Sequence, residues 1–354
     1  MRIILTGGGT AGHIFPNIAI IEEARTNKQK FDFLYIGSKQ GMEKIILLEH
    51  HLAFKPILTG KLRRYFTIKN LWDIFKIPFG VIQSLWHIYK FKPDVIFSKG
   101  GYVSVPVMVA GFILRKKTIL HESDLSIGLA NKISAFFADE ILLGHEDTKK
   151  FFPNKKSITV GIPVRKFIYN GDKNKAAKLL EFPMRKPVIL IIGGSLGAQF
   201  INEIVLSSLE KLLPKFNVIH VTGKNFSKQD TSKFSNYRRF DFVDQELADF
   251  YDLADIIISR AGANTLAELS CLNKKIILIP LPKSSSRGDQ IENAQNFQKS
   301  HQAKIIDQEK LTSKILIETI QDILAEKKAI NPLESINQHA AKKILTIFSH
   351  YNSQ

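Results

Sequence analysis

Two glycine-rich turns, GGGTAGH from Gly7 to His13 and GGSLGA from Gly193 to Ala198, each stand where an apolar strand hands over to a helix. The first follows Arg2–Thr6 and precedes a helical pattern over residues 14–24. The second follows Val188–Ile192 and precedes residues 199–213, where Ile201, Val205, Leu209 and Leu212 recur at helical spacing. Repetition of strand, glycine turn and helix at two distant points predicts two similar nucleotide-fold halves facing one another. Glycine suits such a turn because backbone amides can approach an anion without a Cβ, and the helix N-terminus that follows adds partial positive charge. Each turn is a candidate phosphate or oxyanion site, with a tight ligand-free turn as the bland alternative.

Gly7-x-Gly9-x-x-Gly12 also matches the dinucleotide fingerprint, which requires an acidic residue at the end of the second strand for the ribose. The second strand here, residues 31–36, runs into Gly37-Ser38-Lys39, so NAD is disfavoured. Strands and helices alternate along the whole chain, the pattern of parallel sheets covered on both faces. Further strands are expected at 92–97, 117–120, 140–143 and 157–160, then at 188–192, 216–221, 239–242, 256–259, 275–279 and 303–306. A polar, turn-rich stretch between Gly161 and Asp172 is the expected hinge. The boundaries that follow are 1–162 for an N-terminal domain and 163–334 for a C-terminal one, with a last helix at about 335–350 crossing back onto the first.

Length agrees, since 354 residues suit two moderate domains better than one core. No apolar run reaches the roughly 18 residues of a membrane span, and the N-terminus passes directly into a strand without a signal-peptide pattern. The single cysteine, Cys271, excludes an internal disulfide framework and reads as a buried, inert thiol in a helix. A net charge of +17 points to polyanions. Between Lys61 and Lys92 the basic residues Lys61, Arg63, Arg64, Lys69, Lys76, Lys90 and Lys92 interleave with Tyr65, Phe66, Trp72, Phe75, Phe79, Trp86 and Tyr89, against one acid, Asp73. That mixture on helices, with residues 81–89 apolar nearly all round, favours an anionic lipid surface over a solvated basic face. No nucleic-acid module is present in the sequence, so no nucleic-acid partner is expected.

Seven motifs taken together carry a family resemblance. GGGTAGHIFP from Gly7, SKGGYVSVP from Ser98, HESDLSIGLANK from His121, GIPVR ending at Arg165, GGSLGA from Gly193, SRAGANTLAE from Ser259 and RGDQ from Arg287 resemble, in order and nearly end to end, the MurG family of N-acetylglucosaminyltransferases. The resemblance implies an α/β GT-B fold of two Rossmann-like domains facing an interdomain cleft. It implies UDP-N-acetylglucosamine as donor and undecaprenyl-diphospho-N-acetylmuramoyl-pentapeptide as acceptor, at the cytoplasmic face of the membrane beside other cell-wall synthesis proteins. It also implies that no cofactor or metal is needed, and the sequence holds no compact Asp-x-Asp or His/Asp cluster.

Site residues follow by matching positions. Glu268 stands where the family's glutamate takes the ribose hydroxyls, within a donor segment formed by Ala263, Asn264, Thr265, Leu266, Ala267 and Glu268. Arg165 and Ser195 match donor contacts, and an arginine and a hydroxyl beside backbone amides suit a diphosphate whose charge grows as the sugar departs. Gln290 can both donate to and accept from sugar hydroxyls. Phe242 and Val243 match the uracil position. Thr10, Ala11 and Gly12 of the first turn and Asp124 complete the donor set, although Ala11 replaces a common glycine and Asp124 replaces asparagine of some relatives. His13, with a side chain that ordinarily titrates near 6.5, is the expected general base or positioner for the acceptor hydroxyl, with Glu122 and Asn131 as further acceptor contacts. The expected reaction is one in-line displacement with inversion to a β1,4 linkage, with domain closure about residues 161–172 when donor binds. A UDP-N-acetylglucosamine 2-epimerase and a basic, non-catalytic scaffold remain the alternatives.

Overall fold

A computed structural model of the chain describes residues 1–9, 11–39, 43–60, 68–182, 186–194, 198–224, 226, 231, 233–326 and 335–351. Its contacts divide the chain into two units, Met1–Arg165 with Ile336–Gln354, and Lys166–Ser335.

The first unit contains strands β1 (Arg2–Thr6), β2 (Asp32–Ser38), β3 (Ala53–Ile57), β4 (Val95–Ser98), β5 (Lys117–Glu122), β6 (Glu140–Leu143) and β7 (Ser157–Thr159). Its helices are α1 (Phe15–Thr26), α2 (Glu43–Glu49), α3 (Ile68–Phe91), α4 (Val105–Ile113) and α5 (Leu129–Phe137). The sheet order is β3-β2-β1-β4-β5-β6-β7, every pairing parallel. In β1 the apolar residues alternate between faces. Ile3 and Leu5 join Ile14, Ile18, Phe97, Ile119 and Leu142 on one side, while Ile4 meets Leu34, Ile96, Ile88 and Val107 on the other. Burial on both faces explains the unbroken apolar runs that made these strands legible.

The second unit repeats the plan with β8 (Val188–Ile192), β9 (Asn217–Val221), β10 (Tyr237–Phe240), β11 (Ile256–Ser259), β12 (Lys275–Leu278) and β13 (Ala303–Ile305). Its helices are α6 (Lys173–Leu180), α7 (Gln199–Leu212), α8 (Leu247–Leu253), α9 (Ala263–Ser270), α10 (Asp289–Ser300) and α11 (Ser313–Ala325). The order β10-β9-β8-β11-β12-β13 is again all parallel. Ile201, Val205, Leu209 and Leu212 of α7 and Leu316 and Ile320 of α11 cover Ile189, Ile191, Ile256 and Ile258. Asp172 caps α6 by accepting the Asn174 and Lys175 amides, and Thr312 caps α11 by accepting that of Ile315.

The last helix, α12 (Ala340–His350), follows a short 3-10 turn and returns to the first unit. Ile344, Leu345 and Phe348 enter the cluster around Ile3 and Phe97, and the Phe348 ring meets Phe97 edge-on at 5.4 Å. Tyr351 Oη donates to Glu140 over 2.5 Å, and Lys117 Nζ lies 4.8 Å over the tyrosine ring.

Three expectations need correction. The helical reading of residues 81–89 is part of one 24-residue helix, α3, that passes through Pro78. Pro78 is exposed on that helix and cannot donate the N–H of its own position. The strand expected at 239–242 is Tyr237–Phe240, because its partner β9 ends at Val221, which pairs with Phe240. Cys271 lies just past the end of α9 and not within it, half-buried, with its thiol pushed up to about 11 by burial.

Candidate active site

In each sheet the strand order reverses between its first and fourth strand in chain order, β1 against β4 and β8 against β11. At such a switch point the loops leaving two neighbouring strands diverge to opposite faces and open a crevice at the carboxyl ends. Four of the seven motifs, those that follow β1, β4, β8 and β11, fall at these two places.

In the first unit the turn after β1 carries Gly7 to Gly9 and ends in a short 3-10 turn, Ala11–His13. His13 is half-buried and its Nδ1 lies 3.2 Å from the Lys99 carbonyl oxygen at the end of β4. A carbonyl only accepts, so Nδ1 carries the proton and Nε2 the lone pair. The ring is flanked by Gly101, whose φ of +84° and position 2.5 Å from the Gly8 carbonyl, measured to where a Cβ would stand, exclude a side chain. Gly12 is half-buried beside His13. Thr10 lies outside the described residues, as does the side chain of Ala11. The first turn was read as an anion site, and one of its amides already has an anion. Gly9 N–H donates over 3.0 Å to Oε1 of Glu43, a buried carboxylate at the start of α2 that the sequence did not single out.

One strand further, β5 ends in His121 and Glu122, and Ser123 and Asp124 follow it. Glu122 is buried; its Oε1 accepts from the Asp124 amide at 3.0 Å and its Oε2 from Asn131 Nδ2 of α5 at 2.8 Å. Burial, with the Asp124 charge second, raises its carboxyl to about 7, against the pull of those hydrogen bonds and of Lys99. Asn131 Oδ1 is buried with no partner among the described residues. Asp124 is half-buried, and its carbonyl accepts from Thr148 Oγ1. Lys99 is 1% exposed, and its ammonium reaches His121 Nδ1 at 3.1 Å and Ser123 Oγ. His121 Nε2 donates to the Gly161 carbonyl at 2.8 Å, so the ring is neutral and accepts from Lys99, as its strongly lowered pKa from burial requires. Arg165 is buried with its guanidinium 4.0 Å over the Phe15 ring, and by its contacts it belongs to this unit.

In the second unit the turn after β8 contains Gly194 at φ +91°, with no atom within 4 Å of where a Cβ would stand. Ser195 lies outside the described residues. After β11 comes Gly262, which precedes α9, and no side chain at that N-cap accepts from the helix's first-turn amides. Ala263, Leu266 and Ala267 are buried and fix the helix, whereas Asn264, Thr265 and Glu268 are half-buried. Asn264 Oδ1 is buried without a partner among the described residues, and Glu268 Oε2 lies 3.5 Å from Tyr251 Oη. Gln290, in the first turn of α10, accepts from the Leu281 amide at 3.1 Å through Oε1, which leaves its amide N–H groups directed away from that bond. Phe242 is 49% exposed beyond β10, with Lys224 Nζ 5.6 Å from its ring, while Val243 is buried. Arg260, next to α9, was not singled out. It is 9% exposed, donates to the Ile279 carbonyl at 3.0 Å, and burial lowers it to about 10.

On α3, Phe75, Phe79, Ile82, Trp86 and Tyr89 are exposed at alternating spacings of four and three, a single stripe along the helix. Phe112 and Ile113 are exposed at the end of α4, which packs beside α3. Lys69 and Trp72 lie on α3 with side chains outside the described residues, and Lys61, Arg63 and Arg64 lie outside them altogether. Among the described residues no helix is long and apolar enough to cross a membrane, and no group of three or more His, Cys, Asp or Glu could hold a metal ion.

Residues 3–143 match the glycosyltransferase family 28 N-terminal domain and residues 188–347 its C-terminal domain. With two Rossmann-like parallel sheets, these define a glycosyltransferase of the GT-B class. Over 353 residues, all of this chain and 99% of that protein, the sequence is 42% identical to UDP-N-acetylglucosamine--N-acetylmuramyl-(pentapeptide) pyrophosphoryl-undecaprenol N-acetylglucosamine transferase 3 of Bacillus thuringiensis (strain Al Hakam). It is 44% identical to the transferase of the same description from Clostridium perfringens (strain SM101 / Type A), over 91% of this chain and 90% of that one. The chain belongs to the MurG family of UDP-N-acetylglucosamine-dependent N-acetylglucosaminyltransferases. Among solved structures, Acinetobacter baumannii MurG superposes with a TM-score of 0.71 at 22% identity, covering 99% of each chain. A UDP-GlcNAc 2-epimerase from Neisseria meningitidis superposes with 0.66 at 15% identity, covering 99% of this chain and 100% of that one, so the fold is common to both activities.

Proposed function

We propose that the protein transfers N-acetylglucosamine from UDP-N-acetylglucosamine to the C4 hydroxyl of N-acetylmuramic acid in undecaprenyl-diphospho-N-acetylmuramoyl-pentapeptide, with inversion to the β1,4-linked product. The observation that carries this reading is the end-to-end identity to transferases of that description. His13 Nε2 takes the proton of the C4 hydroxyl, the oxygen forms its bond to the anomeric carbon, and the bond to the UDP oxygen breaks with its electron pair leaving on UDP. Glu122, held by Asn131, faces the acceptor sugar. Arg165, Ser195, the first-turn residues Thr10, Ala11 and Gly12, Asp124 and the amides at the start of α9 receive the diphosphate and its sugar. Glu268 takes the ribose hydroxyls, Gln290 the N-acetylglucosamine hydroxyls, and Phe242 with Val243 the uracil.

The 1–162 segment serves as the acceptor and membrane domain and 163–334 as the donor domain, closing about residues 161–172. The exposed stripe of α3, with Phe112, Ile113 and the basic residues Lys61, Arg63, Arg64 and Lys69, seats the enzyme peripherally on the anionic cytoplasmic face of the membrane, where its lipid-linked acceptor and other cell-wall synthesis proteins reside. The reading assigns no metal and no cofactor.

The decisive assay supplies UDP-N-acetylglucosamine and a short-chain analogue of the lipid-linked muramoyl-pentapeptide and follows UDP together with disaccharide. Product requiring both substrates supports the transferase, whereas UDP-N-acetylmannosamine, or UDP formed without acceptor, supports the epimerase. Two substitutions extend it. Glu268→Ala is expected to weaken donor binding by about 10- to 100-fold through loss of charge-assisted hydrogen bonds worth about 1.5–3 kcal/mol, and unchanged affinity by calorimetry removes Glu268 from the ribose. Phe79→Ser with Trp86→Ser is expected to reduce sedimentation with anionic vesicles about tenfold or more, given about 1.5–3 kcal/mol for each large side chain withdrawn from an apolar phase. Equal sedimentation moves the membrane face elsewhere.

A further inference from the structure

A lysine inside a protein is rare unless something compensates its charge. Lys99 is buried, yet both partners of its ammonium, His121 Nδ1 and Ser123 Oγ, are neutral. They satisfy its protons without cancelling its charge. The compensation comes across space from the carboxylates of Glu122 and Asp124.

The same residue holds the other half of the first switch point through its backbone. Its N–H donates to the Thr6 carbonyl at 2.8 Å, joining β4 to the end of β1, and its carbonyl accepts from His13 Nδ1. Lys99 therefore touches the strand ends of β1, β4 and β5, and through His121 the Gly161 turn. A surface lysine in an otherwise apolar loop would need none of these connections.

We infer that Lys99 is a positioning residue for the transfer reaction: its carbonyl selects the His13 tautomer with the lone pair on Nε2, and its buried ammonium, hydrogen-bonded to the residues on either side of Glu122, sets a positive charge behind that carboxyl. The inference rests on the reading of His13 and Glu122 as acceptor-site residues. The groups that bear on Glu122 are Asp124 on its own loop, Asn131 on α5 and Lys99 from β4, with His145 acting on the intervening His121. Burial and then Asp124 raise the Glu122 carboxyl, and the Lys99 ammonium opposes them. Lys99 is itself lowered to about 8 by burial, so its charge weakens as the solution becomes alkaline.

Lys99→Met keeps the length and apolar stem of the side chain and removes the charge. Removing one partner from a group of buried charges is strongly destabilising, so the melt should move to lower temperature while staying cooperative. Turnover with the short-chain acceptor analogue should fall about tenfold or more, with KM for UDP-N-acetylglucosamine unchanged. The acid limb of the kcat/KM profile should move to higher pH by about one unit, the lower end of the effect of a nearby opposite charge on a carboxyl. Lack of folding would be met with Lys99→Gln, which can still donate to His121 and is read in the same way. Glu122→Gln separates the two ideas. If it abolishes the acid limb and the lysine variant shifts that limb, the inference stands. An acid limb removed by Glu122→Gln but unmoved by either lysine variant overturns the role of Lys99 and leaves Glu122 in the site. A wild-type profile in Glu122→Gln overturns both.

Discussion

Replacing His13 by alanine is expected to leave the fold intact and to lower turnover by about 100-fold or more, the usual contribution of a positioned general base. The ring is half-buried and donates from Nδ1 to a carbonyl, and loss of that bond costs about 1 kcal/mol of stability, little enough to leave a cooperative melt. Its chemical role is harder to replace. Donation from Nδ1 to the Lys99 carbonyl holds the imidazole in a single tautomer. Donor affinity should be unchanged, because the ring takes a proton from the acceptor and not from UDP-N-acetylglucosamine. Near-normal turnover in a folded variant would reduce His13 to a residue that closes its turn.

The second large effect runs in opposite directions for stability and activity. Glu122 ordinarily titrates at 4.5 and is raised to about 7 in the folded chain, first by burial and then by Asp124. The folded protein thus holds this proton more tightly than the unfolded chain does. Stability falls as pH rises from 4.5 through about 7, and above that the full cost of ionising a buried carboxyl is present. Glu122→Gln removes that cost and should raise stability on the alkaline side, with no gain at pH below 4.5. The amide also has a partner waiting: if Asn131 turns over, its Oδ1, which lacks a donor among the described residues, accepts from the new N–H. Turnover should fall about 100-fold and lose its dependence on pH near 7. Denaturant melts at several pH values beside the transfer assay check both halves. A variant less stable at every pH would mean that the hydrogen bonds from Asp124 and Asn131 outweigh desolvation.

The central strands were legible because each is buried on two faces and reads as an apolar run; β1, β6, β8 and β11 fall where the sequence placed them. The strand β3 escaped because Ala53–Ile57 lies at the sheet edge, pairs only with β2, and contains Lys55 and Pro56 where a central strand would carry apolar residues. Spacing marks the glycine turns and helix starts, and the candidate site residues were placed on them by matching the family's motifs. Lys99, Glu43 and Arg260 could not be found, since an isolated charged residue reads as surface. Only the packed sheet ends reveal that each is nine-tenths or more buried. The basic segment before α3 was singled out by composition, and the exposed stripe that follows required the helix to run unbroken through Pro78.

The return of α12 to the first unit has a consequence for biosynthesis. Phe348, Ile344 and Leu345 complete the cluster around Ile3 and Phe97, and Tyr351 secures the end of that helix to Glu140. A chain emerging from the ribosome presents the first unit's strands long before these residues, which arrive only after the whole second unit has been translated. Until then the apolar face awaiting α12 is uncovered, and it becomes a natural docking point for a chaperone. The first unit to be synthesised is in this sense the last to be finished.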